Sequence, residues 1–193
     1  MHERLVQGVQ QKVALLQDEV ERVKTFFIPK KLRKRQYLLN AGDVCQHLAF
    51  VEKGLLRSFS VDDRGHEHVM QFAMEGWWIT DMASFLCQEE ATYNIEALED
   101  VELLLLTKPA MDEMIDRLPK MERYFRLLMQ NSIIALQRRI RVVQTLTAEE
   151  VYLRLMHVQP EIISRVPQQH VASYLGITPE TLSRIRKQVS ERR

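Results

Sequence analysis

The chain is poor in cysteine. Cys45 and Cys87 stand far apart, without CxxC spacing or a Cys/His cluster, so a zinc or iron–sulfur site built on cysteines alone has no support and the pair reads as free thiols of a reducing compartment. No apolar run reaches membrane-spanning length, and the opening "MHERLVQGVQQ" is too polar for a secretory signal. The expectation is a cytoplasmic protein with no membrane partner. Net charge is also missing: at +1 nothing global draws the protein toward nucleic acid or lipid, so an electrostatic argument has to be local.

Local charge is uneven. From Gly76 to Arg117 ten acidic residues face two basic ones, whereas from Arg165 onward six basic residues face Glu180 and Glu191. With 193 residues and 46% hydrophobic content, the chain can bury one good core or two modest ones.

Hydrophobic spacing divides the chain into three parts. Leu5, Val9, Val13, Leu16, Val20 and Val23 recur in steps of three and four, the pattern of one amphipathic helix. After Pro29 the cations Lys30, Lys31, Arg33, Lys34 and Arg35 read as a solvated edge or strand entry. From about Tyr37 to Leu106 the runs "AFVE", "LLRSFSV", "EHVMQFAM", "YNIEAL" and "VELLLL" recur at roughly ten-residue intervals between glycine-bearing turns, which predicts an all-β sandwich or barrel with "DDRG" as a hairpin turn. Beyond Pro119 a long helix is predicted. Its apolar stripe of Phe125, Met129, Ile133, Leu136, Ile140 and Val143 runs further than one small roll can cover, which favours pairing with a second copy. The capping box Thr147-Ala-Glu-Glu150 marks a fresh helix start.

"PQQHVASYLGITPETLSRIRK" has the spacing of a helix-turn-helix. Pro167 suits a helix start and Gly176 a turn at positive φ. Ala172 is small enough for two helices to cross closely, and Val171, Leu175, Ile177, Leu182 and Ile185 supply the small core between them. Thr178 caps the second helix, with Pro179 at its first position. Glu180, Thr181, Ser183, Arg184 and Lys187 are left on the outer side. Arg pairs with guanine O6 and N7 and Glu accepts from cytosine N4, so Glu180 and Arg184, four apart, suit neighbouring base pairs of a major groove. The competing reading is an exposed ion pair between the two.

Other signals in the sequence are weaker. His66-Glu67-His68 places two imidazoles on one strand face, as in cupin-type metal enzymes, but the following residues lack the rest of that pattern, so no metal ligand is assigned. Of Trp77 and Trp78, at most one can wall a pocket, because adjacent strand residues face opposite ways. No nucleophile–base arrangement stands out, and the chain reads as a non-enzyme. A different-class alternative is a small-molecule-binding or metal-dependent, cupin-like roll whose C-terminal helices make protein contacts.

A roll, a long helix and a helix-turn-helix in this order resemble the Crp/Fnr family of bacterial transcription regulators. The likeness is carried by "NAGD", "EKG", "DDRG", "EGWW", "NIEALEDVELLLL" and most specifically "VASYLGITPETLSRIRK". It implies an α+β protein: an N-terminal β-roll of double-stranded β-helix or jelly-roll type with flanking helices (1–118), a dimerisation helix (119–146) and a C-terminal winged helix-turn-helix (147–193). It also implies a homodimer on double-stranded DNA with half-sites about 34 Å apart, contact with RNA polymerase, and an effector in the roll. Base contacts map onto Glu180, Ser183 and Arg184, and phosphate contacts onto Gln169, Thr178, Thr181 and Lys187. Pro179 replaces an arginine of the catabolite activator, which makes the reading helix resemble the Fnr branch with its TTGA half-site. The candidate effector pocket is Gly76, Trp78, Asp81, Thr92 and Tyr93. The family's cAMP cassette opens with Gly-Glu and ends with Arg-Ser or Arg-Thr; here Trp78 or Ile79 stands where the Glu is expected, no Arg occurs between Gly76 and Leu98, and Glu89 and Glu90 lie close by. The polar pair expected on the dimer helix falls within Ile133 to Leu136, all apolar. The expectation is therefore that cAMP and cGMP do not bind, with the effector unidentified, and the iron–sulfur cysteines of the Fnr branch are missing too.

Overall fold

The computed structural model describes residues 2–192. Two helices open it, α1 (Glu3–Gln10) and α2 (Gln17–Thr25), where apolar periodicity alone predicts one. α1 ends at Gln10, and Leu16, in an extended conformation, stands at the N-cap of α2 with its N–H donating to Glu19 at 2.7 Å. Leu5, Val9, Val13, Val20 and Val23 are buried, and Leu16 points out, 64% exposed.

Eight strands follow: β1 (Ile28–Leu32), β2 (Tyr37–Leu39), β3 (His47–Lys53), β4 (Leu56–Val61), β5 (Glu67–Ala73), β6 (Trp78–Ile79), β7 (Asn94–Ala97) and β8 (Val101–Thr107), with a short helix α3 (Met82–Cys87) between β6 and β7. They form two four-stranded sheets, ordered β1-β8-β3-β6 and β2-β7-β4-β5, and every pairing is antiparallel. Sequence neighbours often lie in opposite sheets, which is the wrapped topology of a jelly roll. "VELLLL" lacks alternation because β8 is central, covered on both faces, with Leu103, Leu104, Leu105 and Leu106 all buried. β1 is an edge strand, so its lysines stay solvated while Lys31 reaches Glu102 at 2.8 Å. The buried Glu52 on β3 accepts the Leu5 N–H at 2.9 Å, and so the roll caps a helix that has no cap of its own.

Thr107 caps α4 (Lys108–Arg117), and the 26-residue α5 (Lys120–Thr145) follows. Thr147 and Glu150 close the predicted capping box at the start of α6 (Ala148–Val158). Three more helices complete the chain: α7 (Pro160–Arg165), α8 (Gln168–Leu175) and α9 (Pro179–Glu191). Among the described residues every named strand belongs to the roll and none forms a wing beside α8 and α9; α7, which buries Ile162, occupies the stretch between α6 and α8.

Candidate nucleic-acid interface and sensor roll

The turn between α8 and α9 is built as its residue types require. Gly176 ends α8 at φ 70°, a conformation that a side chain disfavours, and its N–H donates to the Ser173 carbonyl at 3.0 Å. Thr178 then caps α9, its hydroxyl accepting the Thr181 N–H at 3.2 Å, and Pro179 fills the first helical position. Ala172 is fully buried, and Val171, Leu182, Ile185 and Val189 share its cluster.

With that face committed inward, Glu180, Ser183, Arg184 and Lys187 are exposed together, and Gln169 and Thr178 are exposed near the helix starts. Thr181 is half-buried beside Thr178. Among the described residues no ion pair joins Glu180 to Arg184; Lys187 has only a loose 3.9 Å contact to Glu191. The guanidinium is therefore free to meet another partner. The main-chain N–H of Glu180 and the Thr178 hydroxyl hold the Glu180 carboxyl below the usual range, so it stands ionised as an acceptor at neutral pH. Beside this face, Arg186 donates to Gln168 at 3.2 Å, and Gln168 donates to the Pro179 carbonyl at 3.4 Å. Those contacts tie the start of α8 to α9.

The dimer stripe splits into two parts. Phe125 is buried within its own roll, against Trp78 and Tyr124, and Met129 is half-buried, so these two leave the predicted seam. Ile133, Leu136, Ile140 and Val143 are 50 to 63% exposed. Four large apolar side chains on one helix face, at steps of three and four, form a seam that this chain alone does not cover.

The five predicted pocket residues do not converge. Trp78 belongs to an aromatic cluster with Phe50, Tyr124 and Phe125, and its Nε1 donates to the Tyr124 hydroxyl at 3.0 Å. Gly76 makes a tight turn at φ 84°, its N–H donating to the Val51 carbonyl at 2.8 Å. Asp81 and Thr92 do meet. Buried Asp81 caps α3 by accepting the Ser84 N–H at 3.1 Å, and its other oxygen accepts the Thr92 N–H at 2.9 Å. Tyr93 is half-buried next in the chain. Asp81 thus ties the start of α3 to the Thr92 main chain. A cavity of about 230 Å³ in the roll has other walls: apolar Leu38, Leu39, Val44 and Ile95, with Asp43 and His47 among the polar ones. Cys45 is buried there, 3.2 Å from the Thr80 hydroxyl, and Cys87 is exposed.

His66 and His68 are exposed hairpin residues, at 3.2 and 3.0 Å from one oxygen of Asp62. Those contacts, His68 first, hold the Asp62 carboxyl well below the usual range. Among the described residues no group of three or more His, Cys, Asp or Glu is arranged to hold a metal ion, and no helix is long and apolar enough to cross a membrane.

An eight-stranded antiparallel roll, a long helix and a helix-turn-helix with an exposed polar face together define the architecture. Comparison with known proteins agrees. The model of the cyclic nucleotide-binding domain matches residues 29–118. The chain is 24% identical over 169 residues to the anaerobic regulatory protein of Haemophilus influenzae, covering 81% of this chain and 64% of that protein. It is 26% identical over 172 residues to the fumarate and nitrate reduction regulatory protein of Vibrio cholerae, covering 81% and 66%. The chain therefore spans about two thirds of the length of these relatives. Among solved structures, the c-di-GMP responsive global regulator CLP of Xanthomonas campestris shares the fold with a TM-score of 0.73 at 17% identity, over 90% of this chain and 91% of that one. FixK2 of Bradyrhizobium japonicum shares it with a TM-score of 0.71 at 16% identity, over 86% and 85%. The chain therefore resembles the Crp/Fnr family, with a cyclic nucleotide-binding-type domain over residues 29–118 and regulatory proteins among its relatives.

Proposed function

We propose that this chain is a sequence-specific, DNA-binding transcription regulator that acts as a homodimer on a palindromic promoter element with TTGA-like half-sites. The observation that carries the reading is the outer face of α9, where Glu180, Ser183, Arg184 and Lys187 stand solvated on a helix whose opposite face is buried. Glu180, Ser183 and Arg184 read base edges; Gln169, Thr178, Thr181 and Lys187 hold phosphates and set the register. The seam of Ile133, Leu136, Ile140 and Val143 pairs with a second copy, which places two α9 helices about one DNA turn, roughly 34 Å, apart. Residues 1–118, 119–146 and 147–193 then act as sensor, dimer helix and reader, and RNA polymerase is the protein partner at the promoter. The roll's effector, where one acts, is neither cAMP nor cGMP: the cassette-like segment has no arginine for a cyclic phosphate, and Asp81 already takes up two main-chain N–H groups there. Binding of an effector would shift the population of reader arrangements.

A salt-dependent gel shift on palindromic TTGA-type DNA tests the proposal. Retention of that duplex over a scrambled one, weakening as salt rises, is the expected result; equal or absent retention contradicts it.

A further inference from the structure

Behind the reading face, α8 is docked on the outer surface of the roll. Phe59, Val69 and Phe72 of the roll share one buried cluster with Val171 and Ala172, and the Phe72 ring lies 5.1 Å from Tyr174. The pairing of β4 with β5 shifts register between Ser58 and Phe59, and Ser173 serves the backbone next to that irregularity: its hydroxyl accepts the Val69 N–H at 2.9 Å and donates to the Glu67 carbonyl at 2.6 Å. An apolar layer adheres without fixing direction. Ser173 and the 2.9 Å Arg57–His170 contact orient α8 itself, and Arg165 adds a two-carboxylate clasp just before it.

Arg165 is the last residue of α7, two before Pro167 and three before α8 begins. Its guanidinium lies between two carboxylates of the roll. Nη1 and Nη2 donate to Glu75 at 2.8 and 3.0 Å, and Nε and Nη2 donate to Glu99 at 3.0 and 2.7 Å. Glu75 follows β5 and is itself anchored by the Gly54 N–H at 2.8 Å, while Glu99 follows β7. Glu161 adds a looser contact at 3.4 Å from within α7. Two planar forks on one guanidinium fix both position and rotation, which a lysine ammonium cannot do.

We infer that Arg165 is a positioning residue for DNA reading: its clasp on Glu75 and Glu99 sets the angle at which α8 and α9 leave the roll, and hence the separation of the two reading helices in a dimer. This rests on α9 being a DNA reader. Removing the clasp leaves the apolar layer and the base-reading side chains in place. What is lost is the fixed spacing that lets both half-sites engage at once, and simultaneous engagement is what raises a palindrome's affinity over that of one half-site.

The test uses the full chain and three variants, Arg165→Ala, Arg165→Lys and Glu99→Gln, the last retained in case Arg165→Ala fails to fold. Fluorescence anisotropy is read on a palindrome, on a single half-site and on palindromes with altered spacers. The expected result for Arg165→Ala is a loss on the order of tenfold or more on the palindrome, with the single half-site little changed and the preference among spacers flattened. Arg165→Lys and Glu99→Gln should fall between this variant and the parent. Equal loss on both duplexes would overturn the inference, because it would make Arg165 a plain phosphate contact. A DNA-free readout separates this failure from failure of the DNA reading. In a Cys87→Ser background, spin labels at Asp63→Cys and Ser190→Cys should give one narrow distance distribution, which broadens when Arg165 is replaced. An unchanged distribution overturns the positioning role whatever the DNA result.

Discussion

The carboxylate of Asp81 accepts the main-chain N–H of Thr92 at 2.9 Å, pinning the far end of the cassette-like segment to the helix start that Asp81 also caps. In a phosphate-binding roll such N–H groups would meet the ligand. In this chain a side chain meets them, in a region already rich in acidic residues.

Calorimetry should therefore detect no micromolar binding of cAMP or cGMP. Asp81→Ala strips a buried site of its acceptor and removes the partner of the Ser84 and Thr92 main-chain N–H groups and of the Thr92 hydroxyl, so it should lower stability by about 2 kcal/mol or more, read by thermal or urea unfolding. Wild-type stability in that variant would show that the bonds contribute little.

The unpaired part of α5 predicts a clean separation of folding from assembly. Leu136→Glu and Ile140→Glu change side chains that are 58% and 50% exposed in the single chain, so melting of the monomer should move little. Sedimentation should nevertheless show dimer converting to monomer. Phe125→Glu should instead unfold the roll, since Phe125 packs with Trp78 and Tyr124.

Arg184→Ala should reduce affinity for the specific site by about 1 to 3 kcal/mol and leave random DNA nearly unaffected. Lys187→Ala should weaken both to a similar extent and lower the salt slope by about 1. An identical loss on both duplexes for Arg184→Ala would move Arg184 to the phosphate set.

His170 on α8 predicts a pH dependence. Burial, followed by the nearby Arg57 guanidinium, lowers its pKa below 6.5, while Glu67 and Glu96 oppose that shift. Arg57 can only donate, so at 2.9 Å the Nδ1 of His170 accepts and the ring is neutral in the docked state. The unfolded chain takes up the proton first as pH falls, so stability from this site is full above 6.5 and declines below it. Glu75, opposed by burial but held at about 2 by hydrogen bonds from Arg165, from its own main-chain N–H and from Gly54, acts in a lower window: its contribution is present above 4.5 and is lost as pH falls toward 2. Melting temperature should fall from pH 7 to pH 5, and less so in His170→Gln. A flat profile in the parent would contradict the assignment.

Much of the reader was legible because its determinants are local. Ala172, Gly176, Thr178 and Pro179 act on residues within a few positions of themselves, and each stands in the structure as its chemistry requires. The strands with strong apolar runs, β3 to β5 and β7 to β8, were legible for a similar reason. The break at Leu16 was hidden because the apolar spacing resumes in phase on either side of it. β1 was obscured by Pro29 and its lysines, which only an edge strand tolerates. Least legible were the contacts of Arg165 with Glu75 and Glu99, of Arg57 with His170, and of Arg139, which donates to the Met70 carbonyl and lies 4.3 Å over the Tyr174 ring. These partners are distant in sequence, and no local pattern connects them. The same holds for Trp78, whose pairing with Tyr124 removed it from the predicted pocket.

DNA reading by a dimer is tested most directly by an anisotropy titration of the full chain against a labelled palindromic TTGA duplex and a scrambled duplex of equal length, at low and physiological salt. Two chains should bind per palindrome, the palindrome should bind tighter by about a thousandfold or more at physiological salt, and binding to the scrambled duplex should disappear as salt rises. Equal affinity for the two duplexes, or one chain per palindrome, would contradict it.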